Sequence, residues 1–339
     1  MSAETGSETK ILSTLIGNAF APIAPKSTMK KMRRNDTMME FVDICKMSQP
    51  KLKQYVENKL LEYYPAESIT SGDGYVYAQG TMPVLLVAHL DTVHKELPHT
   101  IMYDKEMKII SSPEGIGGDD RAGVYILLNV IKAHNCSVLF CEDEEIGAVG
   151  ADKFIETDLA RSLYFNYIIE LDRKGANDAV FYDCDNPDFE KFITQEFFET
   201  SWGSFSDISV LAPFFGCAAV NLSCGYYNPH TVNEYVNFTE TKKLITETCK
   251  LLDRTTEADA FEYIECAKKY EWDGVYDFYS HTKKYADKES RYWISYTDEN
   301  KETQWYDTSA VSEMEAIGMF AVDTGLAYNN IIDIYEDQQ

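Results

Sequence analysis

The chain lacks long apolar runs, an excess of positive charge and a regular spacing of cysteines. No apolar stretch reaches the ~18 residues that a membrane-spanning helix needs. The 339 residues carry a formal net charge of -25, which argues against general nucleic-acid binding and against attraction to anionic membranes. The eight scattered cysteines predict reduced, mostly buried thiols in a cytoplasmic protein. We therefore expect neither nucleic-acid nor membrane partners, and cation binding where carboxylates converge.

The first 36 residues are expected to form a flexible N-terminal tail. Their one apolar stretch, residues 11–24, is interrupted by Asn18 and Pro22, which makes it a poor signal peptide. The basic run at residues 26–34 could serve as a nucleic-acid arm, but a solvated tail is the preferred interpretation.

Residues 37–252 alternate short apolar runs with amphipathic segments, which predicts a single α/β domain. Several runs are apolar at nearly every position, as in strands covered on both faces. The fold class we expect is a three-layer sandwich around a mostly parallel central sheet. Strands are predicted at 75–78, 84–88, 108–111, 137–141, 167–171, 179–182 and 218–222, and helices at 38–47, 50–63, 121–134, 188–198, 207–212 and 239–252.

The composition changes near residue 253. Ten of the 23 tyrosines and three of the four tryptophans lie after residue 252, together with many acidic residues. Strand-like patches at 291–296 and 303–306 and a helix-like patch at 309–324 predict that residues 253–339 form an appended α+β extension.

The apolar run that ends in His89 and Asp91 is the first place where chemistry is expected. Residues two apart on a strand point to the same side, so His89 can bind a metal through one ring nitrogen while Asp91 fixes the other. The alternative is a histidine whose hydrogen bonds are satisfied by a neighbouring aspartate in a turn.

Asp119 and Asp120 follow a glycine-rich stretch just before a predicted helix, where negative charge is favoured. A helix cap would explain one of these aspartates, and a Walker loop is excluded because its lysine and Ser/Thr are missing.

The pair Glu144–Glu145 ends another apolar strand. Such charge density is costly to bury unless a cation neutralises it. Adjacent side chains in an extended segment point in different directions, so Glu145 can bind a metal while Glu144 acts as general base toward a water. A solvated acidic loop is the alternative.

Two further strands end in similar groups. Asp172 is the preferred ligand after strand 167–171, with Glu170 in reserve, and His230 follows strand 218–222; solvated acids and a bystander histidine are the alternatives. Open α/β sheets place their sites at such strand ends. If two ions share Asp119, each has three protein ligands and a position left for water. Nitrogen and carboxylate ligation suits two zinc ions, with manganese or cobalt as alternatives.

The order and wording of these segments resemble the two-zinc aminopeptidase and amidohydrolase superfamily, which includes peptidase T-like tripeptidases, carboxypeptidase G-like enzymes and bacterial aminopeptidases. The resemblance covers roughly residues 38–252. It is carried by His89-Leu-Asp91-Thr-Val93, Gly118-Asp119-Asp120-Arg121-Ala-Gly123, Asp143-Glu144-Glu145-Ile-Gly147, Leu171-Asp172, Ser206-Asp207 and Pro229-His230.

The resemblance implies a phosphorylase/hydrolase-like zinc peptidase core and a division of labour in the site. His89, Asp119 and Asp172 would bind one zinc, and Asp119, Glu145 and His230 the other; Asp91 would orient His89, Glu144 would be the general base, and the Asp119–Asp120 peptide would be cis. Many relatives insert a lid domain between positions that match Asp91 and Asp119 or Asp172 and His230. These intervals, 28 and 58 residues here, are too short for such a domain, so we expect a minimal lidless form.

The sequence thus predicts a metal-dependent hydrolase of peptide or amide bonds, an aminopeptidase or small-peptide peptidase acting on small peptides. Deacylation of N-acyl amino acids is an alternative, with Arg173 and Lys174 as possible carboxylate partners. A non-enzymatic protein that binds through its aromatic C-terminal extension is the other. The oligomeric state is left open.

Overall fold

The computed structural model describes residues 34–203, 205–266, 290–298, 303–310 and 331–337, and the single positions 316, 319, 320 and 324. The chain divides into two units, Met1–Cys266 and Ala267–Gln339. This division falls later in the chain than the change in composition near residue 253. Most of the predicted N-terminal tail and of the predicted helix at 309–324 lies outside the described residues.

Helices and strands alternate through the first unit, as the sequence predicts. The helices are α1 (Arg34–Cys45), α2 (Gln49–Leu60), α3 (Gly118–Val130), α4 (Val149–Ile155), α5 (Asp158–Arg161), α6 (Pro187–Ile193), α7 (Ile208–Phe215) and α8 (Phe238–Asp253). The strands are β1 (Ile69–Gly72), β2 (Tyr75–Ala78), β3 (Met82–His89), β4 (Met102–Asp104), β5 (Ile109–Ser111), β6 (Cys136–Cys141), β7 (Tyr167–Arg173), β8 (Asp178–Val180), β9 (Glu199–Ser201), β10 (Ala219–Ser223), β11 (Tyr226–Tyr227) and β12 (Tyr235–Asn237).

An eight-stranded sheet in the order β1-β2-β6-β3-β7-β10-β8-β9 forms the centre of this unit. The four middle strands β6, β3, β7 and β10 run parallel, with Leu86 of β3 opposite both Val138 and Ile169. On one side of these four strands, β1 and β2 run antiparallel to their neighbours, and on the other side β8 runs antiparallel to β10. The predicted α/β class with a mostly parallel central sheet is confirmed.

Both faces of the sheet are covered, because successive side chains of each middle strand enter opposite cores. On β3, Leu86 belongs to one buried cluster and Leu85 and Val87 belong to the other. In the first cluster α1, α3 and α8 meet through Phe41, Tyr125 and Phe238, whose ring centroids lie 5.5 to 5.6 Å apart. On the opposite face α4 packs against α7. The result is the predicted three-layer sandwich.

The sequence did not predict the short elements β1, β4, β9, β11, β12, α4 and α5. β1 and β4 are four and three residues long and contain no fully buried position, so neither carries the apolar run or the buried face that marks a strand in the sequence. Helix α6 also ends at Ile193, before the predicted end at residue 198.

A second sheet, β11-β12-β5-β4, is antiparallel throughout. Strands β11 and β12 flank the loop that carries His230. Between Asp91 and Asp119 the chain forms β4 and β5. Between Asp172 and His230 it forms β8 to β11 with α6 and α7, so the described residues of both intervals hold no separate lid domain.

The second unit contains the antiparallel sheet β14-β13-β15, formed by β13 (Ser290–Thr297), β14 (Thr303–Ala310) and β15 (Ile331–Asp337). Tyr292 and Ile294 of β13 are buried with Phe320. The two predicted strands are confirmed, and β15 was not predicted.

Six of the eight cysteines are buried, in agreement with the expectation of mostly buried thiols. None of the helices in the described part of the chain has the length and apolar character needed to cross a bilayer.

Replacing Leu86 by Ala tests the packing of the central strand. Leu86 is fully buried, so the variant should lose about 2 to 5 kcal/mol of unfolding free energy through lost transfer energy and a cavity. Leu61→Ala is the control, because Leu61 is 54% exposed and its truncation should cost less than about 0.5 kcal/mol. Denaturation midpoints by circular dichroism make the comparison, and equal losses would contradict this packing.

Candidate metal centre

The groups predicted to bind metal meet at one edge of the large sheet. His89 is the last residue of β3, Asp172 lies near the end of β7, and β6 leads into the 3-10 turn Glu144–Ile146. These three strands are adjacent and parallel, so their carboxyl ends share that edge. Asp119 reaches the same place from the first turn of α3.

A first group consists of His89, Asp119 and Asp172. Nε2 of His89 lies 3.2 Å from Oδ1 of Asp119 and 3.4 Å from Oδ1 of Asp172. The His89 and Asp119 side chains are buried, and that of Asp172 is nearly so. Each residue offers one ligand atom, and the three atoms lie within 4.8 Å of one another.

A second group consists of Asp119, Glu145 and His230, again within 4.8 Å. Nε2 of His230 lies 3.2 Å from Oδ2 of Asp119 and 3.1 Å from Oε2 of Glu145. The His230 side chain is 56% exposed, so this group opens to solvent. Asp119 thus turns one carboxylate oxygen toward each group, which is the geometry of a bridging ligand.

Asp91 connects two of the strand ends. Its Oδ1 lies 3.1 Å from Nδ1 of His89, and its two oxygens accept hydrogen bonds from the backbone N–H of Glu144 at 3.0 Å and of Glu145 at 3.1 Å. The sequence predicted the contact with His89 but not the contacts with the backbone of Glu144 and Glu145. One carboxylate therefore fixes the ring of a ligand candidate and the backbone of the glutamate pair.

Two acids that lie close in sequence to the ligand candidates, Asp120 and Glu170, have other partners in the structure. Asp120 accepts hydrogen bonds from the N–H of His89 at 3.2 Å and of Gly123 at 2.8 Å, so it braces the backbone, and the Asp119–Asp120 peptide is cis, as the resemblance implies. Glu170, the reserve ligand, accepts a hydrogen bond from the Ser206 hydroxyl and belongs to neither group.

The site contains more buried carboxylates than positively charged groups, and this raises the pKa of several of them. Burial raises the pKa of Glu144 to about 9, with the charges of Asp172, Asp207 and Glu145 acting in the same direction and His89 opposing them. Burial likewise raises the pKa of Asp172 to about 7, and the nearby charge of Asp119 adds to this.

The neighbouring carboxylates favour the charged form of the two imidazoles, His89 and His230. Hydrogen bonds to Asp119 and Glu145 raise the pKa of His230 to about 11. Burial would lower the pKa of His89, but Asp172, Asp119 and Asp91 raise it well above its usual value. Positive charge is therefore strongly favoured at both positions.

The residues fit divalent metal ions. Oε1 of Glu145 is buried and has no hydrogen-bond partner among the described residues, although a buried carboxylate oxygen normally has one. Imidazole nitrogens and carboxylate oxygens without thiolates form the donor set of catalytic zinc, and manganese and cobalt accept it too. A cation held by each group would compensate the unpaired negative charge.

Several residues near the site were missed by the sequence interpretation. Glu234 is fully buried and accepts hydrogen bonds from the N–H groups of Gly117 and Asp119, at 2.9 and 2.8 Å. Asn221 accepts a hydrogen bond from the N–H of Asp172 at 2.9 Å, and the Tyr226 hydroxyl donates to the carbonyl of Asp172 at 3.1 Å. A lone glutamate, asparagine or tyrosine carries no local signal of such contacts.

Helix α2 contacts the two residues that precede the turn Glu144–Ile146. Gln49 donates to Oδ1 of Asp143 at 3.0 Å, and Lys53 forms a salt bridge with Glu142 and donates to the carbonyl of Gly72 at 2.8 Å. The turn is thus held by Asp91 on one side and by α2 on the other.

Comparison with known proteins supports the fold. No family model and no curated protein matches the sequence. The structure is similar to that of the aminopeptidase PepT from Bacillus cereus ATCC 10987, with a TM-score of 0.53 and 13% identity over 65% of this chain and 98% of that one. It is also similar to a tripeptidase from Staphylococcus aureus subsp. aureus Mu50, with a TM-score of 0.51 and 12% identity over 65% of this chain and 97% of that one. At these identities the likeness is one of fold, so the resemblance drawn from the motifs is confirmed at that level.

Gly123 offers a test of how α3 is set against the site. A Cβ added there would lie 1.7 Å from the carbonyl oxygen of Leu171 and 2.3 Å from Oδ1 of Asp120, and the carbonyl belongs to a central strand that cannot yield. Gly123→Ala should therefore lower the unfolding free energy by about 3 kcal/mol or more.

Ala122→Gly, one position earlier in the same helix, is the control. It should cost about 1 to 2 kcal/mol, because glycine lowers helix propensity and a buried methyl group is lost. Thermal melts of both variants decide the matter, and a Gly123→Ala variant as stable as the control would contradict the close approach of α3 to β7.

Proposed function

We propose that this chain is a two-metal hydrolase of peptide bonds, an aminopeptidase or small-peptide peptidase. The observation that carries the proposal is the pair of ligand groups that share Asp119, with Glu144 in the half-buried turn beside them. The fold of the two solved peptidases agrees with it. His89, Asp119 and Asp172 would hold one ion, and Asp119, Glu145 and His230 the other.

Zinc is the proposed metal. Divalent ions bound in such a site polarise a carbonyl oxygen and lower the pKa of water toward neutrality. The chain supplies the remaining chemistry, which is to place the substrate and to move a proton.

Glu144 is the proposed general base. Its backbone is fixed by the hydrogen bond to Asp91, and its carboxylate shares its surroundings with His89 and Asp172. The positive charge of the proposed ions would lower its raised pKa, so that it could take a proton from water and deliver it to the amine that leaves when the amide bond breaks. A positioned carboxylate of this kind contributes about 10²- to 10⁴-fold to the rate.

Amino-terminal cleavage is the preferred specificity. The excess of carboxylates around the site suits the free α-amino group of a peptide. The alternative, deacylation of N-acyl amino acids, needs a cation for the substrate carboxylate. Arg173 already lies 3.4 Å from Asp178, which leaves the exposed Lys174 as the remaining candidate of the two.

The metal content of the purified protein tests the two groups. The wild-type chain should carry two zinc ions when zinc is supplied, and His230→Gln should carry one, because that change removes a ligand from the second group alone. Elemental analysis after gel filtration measures the ratio. His134→Gln is the control, since His134 pairs with Asp253 at 2.9 Å and belongs to neither group. Equal metal content in the wild type and His230→Gln would remove His230 from the ligand set.

Glu144→Gln tests the general base. The variant should keep its two ions and lose about 10²- to 10⁴-fold in kcat, because an amide cannot accept the proton. The assay is hydrolysis of a panel of amino-acid anilides, tripeptides and N-acyl amino acids, which also separates peptidase from deacylase activity.

Asp143→Asn is the matched control for that experiment. It removes a carboxylate from the same turn, asparagine tolerates the left-handed backbone at φ 62°, and its Oδ1 can still accept from Gln49. This variant should keep most of its activity. Full activity in Glu144→Gln would remove Glu144 from its role, and a wild-type protein that cleaves nothing in the panel would favour a binding function.

A further inference from the structure

Glu234 is a buried carboxylate for which the proposed reaction has no use. It is fully buried, and both of its oxygens are occupied. Oε1 accepts from the N–H of Asp119 at 2.8 Å, and Oε2 accepts from the N–H of Gly117 at 2.9 Å and lies 2.9 Å from Nε2 of His94. An ionised carboxylate is costly to bury without such partners, so two backbone N–H donors and an imidazole nitrogen converging on one side chain indicate a built arrangement.

The glycines before Asp119 allow the backbone to wrap this carboxylate. Gly117 has a φ of +63°, which side chains rarely adopt. A Cβ on Gly118 would lie 2.7 Å from the Val236 side chain and 3.2 Å from Oε1 of Glu234. At Gly118 the turn can therefore close around Glu234 only because the backbone carries no side chain there, and at Gly117 glycine adopts the left-handed backbone without steric cost.

We propose that Glu234 is a positioning residue for the bridging ligand Asp119, and that His94 holds Glu234 in place. The inference rests on the proposed function. Asp119 turns one oxygen to each metal group, so a rotation of its backbone would misplace a ligand of both ions at once. Glu234 fixes that backbone through the N–H of Asp119 itself and through that of Gly117, two residues earlier.

The test is the zinc affinity of Glu234→Gln in the full-length chain, measured by competition with a chromogenic chelator. Glutamine keeps the size of the side chain but replaces one acceptor by an NH2 group, which then faces a donor. We expect zinc binding weaker by about 10-fold or more, the usual effect of losing a group that orients a ligand. The visible spectrum of the cobalt-loaded variant should also change, since its ligand geometry is altered.

His94→Ala provides the second arm. It removes one partner of Glu234 and leaves both metal groups intact, so it should weaken zinc binding less than Glu234→Gln does. In the double variant it should cause no further loss, because its effect passes through Glu234. Tyr64→Phe is the control for a lost buried hydrogen bond, since the Tyr64 hydroxyl donates to the carbonyl of Cys136 at 2.7 Å, and it should melt earlier with unchanged zinc affinity.

The outcomes separate this inference from the proposed function. A wild-type protein that binds no zinc overturns both. Wild-type zinc binding that persists unchanged in a folded Glu234→Gln variant overturns the positioning role alone. If Glu234→Gln does not fold, His94→Ala decides: weaker zinc binding than in Tyr64→Phe supports the role, and equal binding overturns it.

Discussion

The carboxylate of Asp91 is the contact on which the arrangement of the site depends. It joins the end of β3, through the ring of His89, to the turn after β6, through the N–H groups of Glu144 and Glu145. A hydrogen bond to an ionised acceptor is stronger than one between neutral groups, and here one carboxylate takes part in three such contacts. The histidine ligand candidate and the proposed base are thus fixed by the same side chain.

The remaining geometry follows from parallel strands. Since β6, β3 and β7 lie side by side and run in one direction, groups that are far apart in sequence reach one edge without any long loop. Glu234 does for the segment of Asp119 what Asp91 does for the turn Glu144–Ile146: a buried carboxylate accepts hydrogen bonds from backbone N–H groups of a segment that carries a ligand candidate. Asp91 and Glu234, which belong to neither metal group, thus fix the proposed ligands His89, Glu145 and Asp119 in place.

The sequence predicted much of the fold and of the candidate site because both have local signals. Buried parallel strands have continuous apolar sequences, and the candidate ligands lie at the ends of these sequences. Asp119 and Asp120 could not be told apart by spacing, because both precede the same helix. The structure distinguishes them by backbone angles, since φ and ψ of -83° and 104° at Asp119 and of -114° and 40° at Asp120 send the two side chains to different partners. Glu234 and the α2 contacts could not be predicted, because their partners lie far away along the chain.

The burial of so many carboxylates links the stability of the fold to the proposed cations. Oε1 of Glu145 and Oε1 of Glu170 are buried and lack a hydrogen-bond partner among the described residues. An unpaired buried acid either takes up a proton or requires a nearby positive charge. A cation that binds only the folded chain stabilises it, by about 2.7 kcal/mol at a concentration of 100 times Kd. On the proposed function, cations held by the two groups would therefore also stabilise the folded chain, because they would supply the positive charge that the buried acids of the site otherwise replace by a proton.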